Sequence, residues 1–118
     1  VIYVVDLDDT ICYPDHSKVD TYSKYSLAKP NDKVIEKLRW LKSEGHTIII
    51  HSARRMLTHK GNLIAIELDI GNVTRHWLTE HDVPYDELIF GKPYGDAYVD
   101  DKAVTLEQFL SIGCSDSS

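Results

Sequence analysis

Cysteine is scarce: Cys12 and Cys114 are the only two in a chain of 118 residues, and no Cys-x-x-Cys pair occurs. Neither a disulfide framework nor a zinc ribbon is suggested, and this usage favours a reducing cytosol. Long apolar runs are missing too. The longest, 1–5 and 47–50, fall far short of the ~18–20 residues of a membrane span, and no basic, apolar, cleavable leader is present. Because the chain opens without Met inside an apolar run, the missing leader speaks only for the residues given. The expectation is a cytoplasmic protein with no membrane association. Basic charge is in deficit, thirteen Lys and Arg against nineteen Asp and Glu, for a net −6. Such a balance repels a phosphate backbone and disfavours nucleic acid as a partner. What is present, 42% hydrophobic and 27% charged residues, excludes disorder and fibrous repeats and predicts one globular domain over 1–113 with a frayed tail at 114–118.

The β-branched run 1–5 reads as a buried central strand that gives way to acids at Asp6. Residues 12–29 mix Tyr, Ser, Asp, Lys and Pro without period, longer than a plain connection, and read as an active-site flap. Asn31 or Asp32 caps a helix carrying Val34, Ile35, Leu38 and Leu41, with Gly45 at its end. A second strand, 47–50, leads into His51-Ser52-Ala53-Arg54-Arg55. The stretch 56–71 is ambiguous, a helix is expected over 73–81, and short strands over 88–90 and 97–99. Thr105 then caps a helix over 106–112. Strands alternating with helices predict an α/β, Rossmann-like three-layer fold around a parallel sheet, with no cap domain.

Four polar clusters follow these strands: Asp6-Leu7-Asp8-Asp9-Thr10, His51-Ser52, Lys92 and Asp100-Asp101. Parallel sheets bind ligands at that edge. Clustered carboxylates raise each other's pKa unless a cation intervenes, and a hard ion such as Mg²⁺ takes carboxylate oxygens. A hydroxyl, an ammonium and a metal together suit a phosphoryl group. One carboxylate could then attack while the other acid of the Asp-x-Asp moves a proton.

In these motifs the chain resembles the haloacid dehalogenase-like (HAD) phosphohydrolases, whose four motifs match in order over nearly its whole length. The resemblance implies that Asp6 is the nucleophile, forming an aspartyl-phosphate, and Asp8 the general acid/base. Thr10 would support the loop, and Ser52 and Lys92 would bind the phosphate. Mg²⁺ would take Asp6, the backbone carbonyl of Asp8, and Asp100, with Asp101 behind them. The phrases Ser52-Ala53-Arg54, Gly91-Lys92-Pro93-Tyr94 and 98–103 look most like small capless members, including those of capsule or sugar-phosphate biosynthesis. The expected activity is therefore phosphomonoester hydrolysis on a small phosphorylated sugar or sugar acid. Arg54 is a candidate substrate contact, and a second subunit a candidate lid.

Rival readings are weaker. An EF-hand starting at Asp6 would need Gly at Ile11 and Glu at Ser17. His51-Ser52 lacks the Gly-x-Ser-x-Gly elbow of a serine hydrolase. A receiver-type phosphoacceptor domain would carry its acceptor Asp on a middle strand, where His51-Ser52 stands. A nucleic-acid end phosphatase suits an open site and is disfavoured by the charge of −6.

Overall fold

The computed structural model describes residues 1–113. In chain order the elements are β1 (Ile2–Asp6), β2 (Cys12–Tyr13), α1 (Thr21–Ser26), β3 (Lys29–Pro30), α2 (Asp32–Ser43), β4 (Thr47–Ser52), α3 (Met56–His59), α4 (Leu63–Ile66), a π-helical turn (Glu67–Gly71), α5 (Asn72–Glu80), β5 (Glu87–Phe90) and α6 (Leu106–Leu110). The expected tail at 114–118 lies outside the described residues.

An α/β fold results, with helices flanking a parallel sheet in the order β1-β4-β5. Alternation places Ile48, Ile50 and Ser52 of β4 on one buried face, as the two-residue period of a strand requires. The register sets Asp6 opposite His51 and Ser52 opposite Phe90, so all three strands end at one edge. Helix α2 buries Val34, Ile35, Leu38 and Leu41, each stabilising the core by about 1.5–3 kcal/mol. Asn31 caps it by accepting the Val34 N–H, and Gly45, at φ 88°, takes the left-handed turn past its end at no Cβ penalty.

Expected and observed elements differ in four places. First, β1 is not central. Among the described residues no strand pairs with its outer edge, and Ile2 and Val4 stay exposed. Second, the expected strand at 97–99 does not form. The Tyr98 hydroxyl donates to the Pro93 carbonyl at 2.7 Å and accepts from the Gly95 N–H at 3.0 Å, closing a local loop that competes with pairing, and Val99 is fully exposed. Third, the ambiguous stretch is helical: α4, the π turn and α5 run on without a break, and Gly71 is helical at φ −60°. Its buried residues Ile66, Ile70, Val73, Thr74, Trp77 and Leu78 keep one face across the π turn. Fourth, the flap has structure. Antiparallel β2 and β3 pinch its base, α1 lies between them, and the Trp77 indole donates to the Ala28 carbonyl at 2.9 Å. Thr105 forms the full capping box with Gln108.

Candidate active site

The loop after β1 winds around one carbonyl. Leu7 is fully buried, and its oxygen accepts the N–H groups of Thr10, Ile11 and Cys12 at 3.3, 2.8 and 3.2 Å. Asp9 takes a left-handed φ of 64° and donates to the Cys12 carbonyl at 2.7 Å. With Leu7 anchored inward, Asp6, Asp8 and Asp9 all line one cleft of about 370 Å³.

Asp8 is held from across the sheet. Arg54 gives its carboxylate three hydrogen bonds, Nε at 3.1 and 2.9 Å and Nη2 at 2.8 Å. The guanidinium is buried between the Thr74 hydroxyl, 2.9 Å away, and the Tyr25 ring, 4.1 Å from the ring centroid. Burial works against the Arg54 charge, yet the Asp8 hydrogen bonds and charge leave its pKa raised on balance. Beneath the pair sits Cys12, its Sγ 3.5 Å from both Asp8 Oδ1 and Arg54 Nη2. Burial, with Asp8 adding to it, pushes that thiol up to about 12.

Asp6 faces Lys92, with 3.4 Å between Oδ1 and Nζ. Burial raises the Asp6 pKa, and Lys92 pulls against it. Lys92 follows Gly91, whose φ of 97° turns the chain out of β5, and its N–H donates to the Ser52 carbonyl at 3.1 Å. The Ser52 hydroxyl is buried and accepts the Arg54 N–H at 3.0 Å, which leaves its own proton to be donated. His51 stands beside them, its pKa lowered by burial first and by Lys92 second.

Asp6, Asp8, Ser52, Lys92 and Arg54 are thus gathered at one strand edge. Arg54 is not the open substrate contact anticipated, because Asp8 occupies its fork. Thr10 is half-buried and contributes its backbone N–H to the loop. Asp100 and Asp101 lie elsewhere: both are exposed outside the cleft lining. Asp100 accepts the Lys102 N–H at 2.9 Å, and that bond, then Asp101, lowers its pKa. The strand expected to deliver Asp100 is absent, which is why it stays away. Among the described residues no three His, Cys, Asp or Glu side chains are grouped to hold a metal. The Asp6 carboxylate offers the hard oxygen Mg²⁺ prefers, but the donor set is incomplete as the side chains stand.

Sequence reasoning missed Lys24, Tyr94 and Tyr98, which line the cleft with Arg55 and the flap's Tyr25. No spacing rule marks them, since Lys24 comes from the short flap helix α1 and both tyrosines from the irregular loop after β5. Of the other flap tyrosines, Tyr13 bonds Asn31 and Tyr22 is exposed.

A family model described as the polynucleotide kinase PNKP phosphatase domain, of the HAD type, matches residues 1–110. The chain belongs to the HAD-like phosphatases. Among solved structures, a target protein from Vibrio cholerae is similar to this HAD-like phosphatase at 35% identity, with a TM-score of 0.81 over 94% of this chain and 88% of the other. A chain of the Pnkp1/Rnl/Hen1 RNA repair complex shares the fold at 16% identity and TM-score 0.54, over 93% of this chain and 29% of that one. A D,D-heptose 1,7-bisphosphate phosphatase from B. bronchiseptica, solved with magnesium and phosphate, does so at 14% identity and TM-score 0.50, covering 86% and 53%. No curated protein matches the chain. Phosphatase activity follows from the family. No helix among the described residues is long and apolar enough to cross a membrane.

Proposed function

We propose that this phosphatase hydrolyses phosphomonoesters through an aspartyl-phosphate on Asp6, with Mg²⁺ as cofactor. The observation that carries the reading is the pairing at the strand edge: Asp6 beside Lys92 at 3.4 Å, with Asp8 fixed two residues away by Arg54. An Asp6 oxygen attacks phosphorus while Lys92 and the Ser52 hydroxyl donate to the phosphoryl oxygens. Asp8 protonates the departing alkoxide, then takes a proton from the water that releases phosphate. Mg²⁺, when bound, would neutralise phosphoryl charge; Asp6, the Asp8 carbonyl and Asp100 are its proposed ligands, and Asp100 must then leave its surface turn. Thr10 steadies the loop, and Asp101 stands behind Asp100.

A cleft of about 370 Å³ suits a small phosphorylated sugar or sugar acid. The phosphorylated end of a nucleic acid is the second reading, favoured by the family model. A panel covering both classes, scored for phosphate release with Mg²⁺ and with EDTA, tests the proposal. Metal-dependent turnover is expected. Release that persists in EDTA would remove the metal, and a long-lived aspartyl-phosphate without turnover would point to a receiver-type role. Native mass spectrometry showing monomers alone would remove the borrowed lid.

A further inference from the structure

Of the three cations from Lys24 to Arg55 that line the cleft, Arg54 is occupied by Asp8. The other two have donors to spare. Arg55 gives Asp69 only its Nε, at 2.8 Å, so its two Nη groups make no hydrogen bond to another described residue. Lys24 comes from the flap helix, with Nζ 5.5 Å over the Tyr25 ring and no carboxylate partner among the described residues.

Arg55 is also held for this position. Its backbone is left-handed at φ 61°, a conformation that crowds the Cβ of any residue but glycine. The side chain is then tethered by Asp69, a residue of the π turn. The same Oδ2 takes the His59 ring nitrogen at 2.8 Å. A guanidinium fixed through Nε presents its outer edge, the geometry that grips a phosphate or carboxylate with two parallel bonds. The scissile phosphoryl group, if it sits at Asp6 and Lys92, leaves both cations for a different part of the substrate.

We propose that Lys24 and Arg55 form a second-anion subsite, which selects phosphomonoesters carrying a further phosphate or carboxylate. The inference rests on the phosphatase reading for the place of the first phosphate. Its chemistry is shared by a sugar bisphosphate and by the phosphodiester next to an oligonucleotide end.

The test compares kcat/KM for phenyl phosphate, which has no second anion, with a hexose bisphosphate and with a 3′-phosphorylated dinucleotide. At least one two-anion substrate is expected to exceed phenyl phosphate by about tenfold, the effect of one charge-assisted contact. Lys24→Gln and Arg55→Gln each erode that ratio, mainly through KM. Asp69→Asn weakens it through Arg55. Which substrate gains identifies the source of the anion. Equal kcat/KM values in the wild type, or a ratio untouched by Arg55→Gln and Lys24→Gln, would overturn the subsite and leave the phosphatase standing. The same ligands are titrated into Asp6→Asn protein. Two-anion binding that depends on Lys24 and Arg55 without wild-type turnover would overturn the phosphatase reading and keep the subsite. No turnover and no two-anion preference would overturn both.

Discussion

Arg54 and Asp8, 46 residues apart in sequence, are joined by three hydrogen bonds of 2.8–3.1 Å. Removing one partner of a buried charge pair strands the other, so Arg54→Gln is expected to cost about 2–3 kcal/mol, less than a fully buried pair because Asp8 is partly exposed. Arg54→Lys keeps the charge and loses the fork. If Asp8 is the proton carrier, both variants lower kcat more than they raise KM. Denaturant melts and steady-state kinetics read the two effects separately, and an unchanged kcat would mean that Arg54 does not position Asp8.

Asp6→Asn is expected to abolish turnover without lowering Tm. Folding raises the Asp6 pKa through burial, so the folded protein prefers the protonated carboxyl, and stability is lost as pH rises through its folded value. A neutral amide imitates the favoured form. Turnover close to wild type would remove Asp6 as nucleophile.

Lys92 opposes that burial. In metal-free Lys92→Gln protein the Asp6 carboxyl is expected to titrate higher still, followed by ¹³C NMR of the side chain. A fall would show that Lys92 does not act on Asp6.

Asp86 is a device of the sheet, away from the cleft. Its carboxylate accepts Lys42 Nζ at 2.8 and 3.0 Å and the Ile48 N–H at 2.8 Å, tying α2 to the start of β5. Lys42, then Ile48, lowers its pKa. The stabilisation is therefore present above the unfolded carboxyl value of about 3.9 and lost as pH falls through the lower folded value. Asp86→Asn is expected to melt below wild type at pH 7, with the gap closing under acid. A gap that persists in strong acid would assign the effect to packing.

The elements easiest to read were those whose local signals agree. Asn31, the Val34 to Leu41 spacing and Gly45 all specify α2, and Thr105 marks the start of α6. That Asp6, Ser52 and Lys92 share one edge was legible because strand ends converge. Arg54 was noticed for its charge but not for its partner, since nothing local in one sequence ties it to Asp8. Residues 97–99 misled because three apolar residues specify a strand only when pairing wins, and here the Tyr98 hydroxyl closes its own loop. The run 1–5 read as central for the same reason: its pattern does not say whether a neighbour covers the second edge.

The position of Cys12 under the Asp8–Arg54 pair makes it a clock. With its thiol buried and pushed up to about 12, it reacts with an alkylating reagent at neutral pH only when the loop around Leu7 opens. In Cys114→Ser protein the modification rate at Cys12 therefore reports how often this loop comes apart, and a bound phosphate analogue that slows it measures how firmly the loop is closed.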